Sequence, residues 1–135
     1  MKKIYKELVQ LAQQARLRSK AQYSNFHVGA ALLGESGKIY TGCNIENSSF
    51  SLTICAERTA IFKAISEGET SFKAIAIAAE GKGFISPCGS CRQVLYELAG
   101  NIDCILIDER EKTKIISIKS LLPFAFTGDN LKQNK

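Results

Sequence analysis

Apolar residues open the chain at a helical period. Ile4, Leu8, Leu11, Ala12 and Ala15 recur at three- and four-residue steps, which predicts an amphipathic helix with one buried face. The period then shortens. Val28 to Leu33 and Lys38 to Cys43 flank Gly34-Glu35-Ser36-Gly37, the pattern of two strands joined by a hairpin turn. Ala56, Ala60, Ile61, Ala64 and Ile65 return to helical spacing, and Gly68 marks the stop of that helix. Ala74 to Ala79 is a continuous apolar run short enough for a buried strand. Gly89 to Ala99 reads as a helix closed by Gly100, Ile102 to Ile107 as a second buried strand, and Ile115 to Ile118 as a third. Leu121-Leu122-Pro123 leaves room for one short turn.

Strand, helix and strand between Ala74 and Ile107 form a βαβ unit, whose two strands are expected to be parallel. The hairpin before it is antiparallel. Together they predict an α/β domain: a three-layer α-β-α sandwich around a mixed sheet of about five strands. A strand as apolar as Ile75-Ala76-Ile77-Ala78 needs both of its faces covered, which calls for helices on both sides. Residues 1–128 are expected to form a single domain. Residues 129–135 read as a polar tail able to fray.

Composition narrows the class. At 135 residues, 45% hydrophobic and 23% charged, the chain has the make-up of one globular domain and not of a disordered segment. A chain of this size buries roughly 68% of its unfolded surface without disulfides. No apolar run approaches the ~18 residues of a membrane span. Lys2, Lys3 and Lys6 give a basic start, but Glu7, Gln10 and Gln13 interrupt any signal-peptide core, so a cytoplasmic protein is expected. The net charge of +5 comes from 18 basic and 13 acidic residues. Its clusters, Lys2 to Lys20 and the last lysines, read as solvated faces and not as a nucleic-acid surface.

The five cysteines are Cys43, Cys55, Cys88, Cys91 and Cys104. An odd number in a reducing compartment argues for metal or catalytic use over a disulfide framework. Two segments stand out, Cys55-Ala56-Glu57 and Pro87-Cys88-Gly89-Ser90-Cys91, each at the start of a predicted helix. Cys88 and Cys91, three apart, share a helix face. Free N–H groups and the partial positive charge of a helix start lower a thiol pKa. Three thiolates from two such starts would hold zinc and leave a fourth position for water, the open form of a catalytic site. Glu57 would then carry protons and not bind the metal. Alone, Cys-x-x-Cys could equally be half a zinc ribbon or a redox pair. In this order, 33 positions apart, the two segments match the signature of zinc-dependent deaminases, in which Cys is allowed as the first ligand. Zinc with three thiolates carries a net −1, so a nearby cation is expected. Arg58 and Arg92 are candidates to hydrogen-bond the sulfurs, the alternative being ordinary exposed helix residues.

From about Ala21 to Phe126 the sequence resembles cytidine deaminase of the small homotetrameric type. The resemblance is carried by Phe26-His27-Val28-Gly29-Ala30-Ala31, Gly42-Cys43-Asn44-Ile45-Glu46-Asn47, Cys55-Ala56-Glu57-Arg58, Pro87-Cys88-Gly89-Ser90-Cys91-Arg92-Gln93 and Leu121-Leu122-Pro123-Phe124-Ala125-Phe126. It implies hydrolytic deamination of cytidine and 2′-deoxycytidine to the uridines, with release of ammonia, in pyrimidine salvage. It implies one zinc ion per chain on Cys55, Cys88 and Cys91. Glu57 would take a proton from the zinc-bound water, deliver it to ring N3 and later assist the departing amino group. Asn44 and Glu46 match the positions that hold the ribose hydroxyls, Phe26 the aromatic wall of the nucleoside pocket, and the backbone at Ala56 the reader of the pyrimidine edge. Phe126 matches a phenylalanine that reaches the base in a neighbouring subunit, which implies a homotetramer with shared sites.

Without the resemblance, Asn44 and Glu46 read first as a polar turn after a strand, and Phe26 and Phe126 as packing residues. His27 reads as structural, and Cys43 and Cys104 as small buried hydrophobes within strands. The sequence departs from the family at Phe50, where a tyrosine is usual, so any hydrogen bond from that hydroxyl is missing. Three other readings compete. A deaminase of a cytosine-containing antibiotic has no need of Asn44-Ile45-Glu46-Asn47. A polynucleotide deaminase lacks basic and aromatic residues interleaved along a strand path. A structural zinc module needs a fourth Cys or His at suitable spacing and gives Glu57 no task.

Overall fold

A computed structural model describes residues 1–132. The elements run α1 (Lys3–Arg16), β1 (Val28–Gly34), β2 (Ile39–Cys43), α2 (Ala56–Ser66), β3 (Phe72–Ala79), α3 (Gly89–Ala99), β4 (Asp103–Ile107), β5 (Thr113–Ser117), α4 (Ile118–Leu121) and α5 (Gly128–Lys132), with a single 3-10 turn at Phe50–Leu52. The five strands form one mixed sheet in the order β2-β1-β3-β4-β5. β3 and β4 are parallel, as the βαβ unit requires, and the other three pairings are antiparallel.

Strand alternation sorts the side chains into two layers. Ala31, Leu33, Ala74, Ala76 and Ala78 face α1 and pack on Tyr5, Leu8 and Ala12. Leu32, Ile75, Ile77 and Leu106 face the other way, onto Ala60, Ile61 and Ala64 of α2 and Leu95 of α3. Helices therefore cover both faces, the three-layer arrangement expected.

Two glycines let the helices lie close. A Cβ on Gly29 would stand 2.1 Å from the Ala12 carbonyl oxygen, and one on Gly42 would stand 2.5 Å from that of Ala56. Only a residue without a Cβ permits such an approach. Gly42 thereby seats the first turn of α2 against β2, and this fixes where Cys55 and Glu57 stand.

The last strand departs from expectation. It begins at Thr113 and ends at Ser117, and Ile118 opens α4. β5 is an edge strand whose Thr113, Lys114 and Ile115 are exposed, so half of it lacks the apolar signal. The Ser117 hydroxyl accepts the Ser120 N–H and caps the short helix that follows. Of the polar tail, α5 takes in Asp129 to Lys132; residues 133–135 lie outside the described residues.

Candidate active site

Helices α2 and α3 both begin on a cysteine. Cys55 and Cys88 occupy the N-cap positions in extended conformation, and neither side chain caps its own helix. Their sulfurs are thus free to turn toward each other. Cys91 stands one turn into α3 and is buried. The sulfurs of Cys55, Cys88 and Cys91 lie within 4.8 Å of one another. Among the described residues no other group of histidine, cysteine or carboxylate side chains gathers in this way.

These sulfurs strain against one another as thiols. The Cys55 thiol is pulled down to about 5, first by a hydrogen bond with Cys91 and then by Arg58, against the opposing effect of burial. Cys91, facing Cys55 from a drier position close to Glu57, is pushed upward. Three sulfurs this close cannot all ionise without a cation between them. A divalent ion relieves that repulsion, and three sulfur ligands leave one tetrahedral position open. The donor set fits zinc.

Glu57 follows two residues after Cys55 and is 5% exposed. Burial, first, and the nearby Cys55 thiolate raise its pKa above the usual carboxylate range. A carboxyl so held keeps its proton more tightly than a free one, which suits a group that takes and returns protons. It opens onto a cleft of about 200 Å³ lined by Phe26, Asn44, Cys55, Ala56, Ile85 and Cys88, among others.

The two arginines part company. Arg58 donates from Nη2 to Cys55 Sγ at 3.2 Å, while its buried Nε has no hydrogen-bond partner among the described residues. Arg92 does not meet a sulfur. Its Nε donates to the Pro87 carbonyl at 2.7 Å, Nη2 to Ser86 Oγ at 2.7 Å and Nη1 to the Leu121 carbonyl at 2.9 Å. Carbonyl oxygens within reach outcompete a weak sulfur acceptor, so Arg92 braces the loop that carries Cys88 and ties it to α4.

The remaining candidates are only partly brought together. Asn44 is buried, with its Oδ1 accepting the Val28 N–H at 2.9 Å and its Nδ2 donating to the Phe26 carbonyl at 2.7 Å. Glu46 stands outside the cleft lining. It accepts the Tyr23 and Ser24 N–H groups, each at 3.0 Å, and the Ser24 hydroxyl. The Ser24 hydroxyl, first among the causes, holds the Glu46 carboxyl below its ordinary pKa. Phe126 is 60% exposed and away from the cleft, with its carbonyl held by Gln93 Nε2 at 2.7 Å. Phe50 keeps a packing role, its ring edge-on to Tyr23 at 6.0 Å.

His27 pairs with the Ser19 hydroxyl, apart from the sulfurs. Cys104 is buried in β4; Cys43, at the end of β2, is only half-buried, because it closes an edge strand. Sequence reading missed Ser24 and the Arg92 brace. The turn-forming pair Ser24-Asn25 just before Phe26 was the available signal for the first.

The family model for the cytidine and deoxycytidylate deaminase zinc-binding region matches residues 2–107. A cytidine deaminase of Sporosarcina psychrophila is 48% identical over 126 residues, 93% of each chain. One of Halalkalibacterium halodurans is 46% identical over 125 residues, 92% of this chain and 95% of its own. In structure, the chain resembles a cytidine deaminase from Burkholderia pseudomallei with a TM-score of 0.88 at 43% identity, covering 93% of this chain and all of the other.

Proposed function

The chain belongs to the cytidine and deoxycytidylate deaminase family, and from that premise we propose that it hydrolyses cytidine and 2′-deoxycytidine to the corresponding uridines and ammonia. It is a zinc-dependent hydrolase. The observation that carries the reading is the convergence of three cysteine sulfurs beside a buried glutamate of raised pKa that lines the same cleft.

Cys55, Cys88 and Cys91 hold the zinc, which when bound supplies a Lewis acid and lowers the pKa of water towards neutrality. Glu57 moves the protons: it accepts one from the attacking water and delivers it to ring N3. It then takes the second from the C4 hydroxyl that the attack leaves and delivers it to the departing amino group, which leaves as ammonia. Its burial supports this, because a carboxyl that resists ionisation returns the proton it has taken. Arg58 offsets the negative charge of the sulfurs through Cys55. Phe26 walls the base, and the backbone at Ala56 reads the pyrimidine edge. Asn44 and Glu46 take the sugar, with Glu46 on the 3′-hydroxyl.

Residues 1–128 act as the catalytic unit, followed by the polar tail. The exposure of Phe126 and Phe124, 60% and 106%, supports an assembly in which Phe126 completes the site of a neighbouring subunit, and we read that assembly as a homotetramer. We assign its work to pyrimidine salvage in the cytoplasm. Among the described residues no helix is long and apolar enough to cross a membrane. The test is loss of cytidine absorbance with zinc measured on the same sample. Turnover by protein carrying one zinc per chain is expected, and no turnover by such protein would overturn the reading.

A further inference from the structure

The turn before β1 carries a hydrogen-bond chain that the catalytic residues do not account for. Ser24 Oγ donates to Glu46 Oε2 and accepts the Phe26 N–H at 3.0 Å. A hydroxyl has one proton to give and lone pairs to receive, so both bonds stand together. The Phe26 carbonyl is taken by Asn44 Nδ2 at 2.7 Å. The peptide groups on both sides of Phe26 are therefore fixed, its N–H by Ser24 and its C=O by Asn44. Between them Asn25 sits at φ 56°, a left-handed conformation that asparagine tolerates better than most residues. The turn is tight, and Ser24 is its pivot.

Glu46 is held in the same way. Its own backbone is stitched in place, with the Glu46 N–H on the Lys20 carbonyl at 2.8 Å and Ile45 bridged to Ile54. Its carboxylate offers about four acceptor directions. Tyr23 N–H and Ser24 N–H take two at Oε1, and Ser24 Oγ takes one at Oε2. One direction is left at Oε2 for a donor arriving from outside.

We propose that Ser24 is a positioning residue for nucleoside binding, one hydroxyl that aims the Glu46 carboxylate at a sugar hydroxyl and sets the Phe26 ring against the base. The proposal rests on the reading that Glu46 takes the 3′-hydroxyl and Phe26 the base. Ser24 touches neither the zinc ligands nor Glu57, so its effect falls on binding and not on the chemical step. The lowered pKa of Glu46, due first to Ser24, agrees with a carboxylate kept ready as an acceptor.

Steady-state kinetics of zinc-loaded Ser24→Ala test this, with cytidine and 3′-deoxycytidine as substrates and Glu46→Gln measured beside it. Ser24 is exposed, so the core is untouched by the change. For cytidine, KM is expected to rise about tenfold with kcat within about threefold of wild type, the scale of one hydrogen bond to a charged group. For 3′-deoxycytidine, which offers Glu46 no hydroxyl, the rise should be about threefold, from the loosened Phe26 alone. Ser24→Thr keeps a hydroxyl and should restore most of the lost KM, with zinc content and Tm unchanged throughout. A cytidine KM within twofold of wild type, an equal rise for both nucleosides, or a fall in kcat alone would overturn the proposal. If Glu46→Gln raises the cytidine KM and Ser24→Ala does not, only the role of Ser24 fails. If Glu46→Gln leaves that KM unchanged, the assignment of Glu46 to the sugar fails, and this inference with it.

Discussion

The two faces of the sheet are built from the same strands and do different work. On one face, alanines at 31, 74, 76 and 78 let α1 lie flat against the strands, and Gly29 brings the helix backbone almost into contact. On the other face, Gly42 brings the first turn of α2 just as close, Leu32, Ile75 and Ile77 pack beneath α2 and α3, and both helices start at cysteines. A cleft opens between those starts and the sheet. A closed packing stabilises; chemistry needs a packing that stops short at one end. The polar groups follow the same division. The α1 side has a satisfied pair, Tyr5 donating to Asp103 at 2.7 Å. The α2 side has a buried carboxyl and three sulfurs close enough to hold one ion.

Substitutions on the two faces should therefore separate activity from stability. The largest effect is expected from Glu57→Gln, which keeps the size of the side chain and would remove the proton transfer proposed for it. Turnover of cytidine should fall by at least about a thousandfold while one zinc per chain remains, read by rate and metal analysis on one sample. Cys88→Ala should empty the metal site under mild chelation; full retention of zinc would remove Cys88 from the ligand set. On the opposite face, Leu8→Ala deletes a fully buried side chain and should cost about 3 kcal/mol by denaturant titration. At a temperature where the variant is folded, its kcat should match wild type, and a large kcat loss would break the division between the faces.

The smallest effect belongs to Tyr5→Phe, about 1 kcal/mol for one hydrogen bond. It carries a pH signature. The Tyr5 hydroxyl is pushed up from 10.0 to about 12, by burial first and then by Asp103. The folded state thus favours the protonated phenol. That stability is whole below pH 10 and is lost as pH rises towards 12. Stability curves of wild type and Tyr5→Phe should converge over that interval, and parallel curves would show that the pair is not felt.

Periodicity made most of this architecture legible, because each buried element keeps one face apolar along its length. It faltered at β5, where an edge strand buries little and Lys114 looks like loop. It also passed over Tyr5, whose polar tip hides a buried ring. The cysteine cluster was readable because a zinc site draws on few residue types at narrow spacing. Arg92 was misjudged for the opposite reason. Adjacency to Cys91 says nothing about where a long side chain finds its acceptor, and the Leu121 carbonyl is brought near only by the fold. Ser24 was hidden because its partner Glu46 is 22 positions away.

The cysteines, set at graded depths, also give the molecule a built-in gauge of its own loading. Cys88 is exposed, Cys43 and Cys55 are half-buried, and Cys104 is sealed in β4 with its thiol pushed up to about 12. A chromogenic disulfide reagent meets Cys88 and Cys55 first, the one for its access and the other for its lowered pKa, and Cys104 last, since reaction requires both access and a thiolate. Metal held by Cys55 and Cys88 would withdraw the readily reached sulfurs from the reagent and leave Cys43 and Cys104 as they were. The fast fraction of the colour then measures how much of a preparation lacks its ion, without any substrate present.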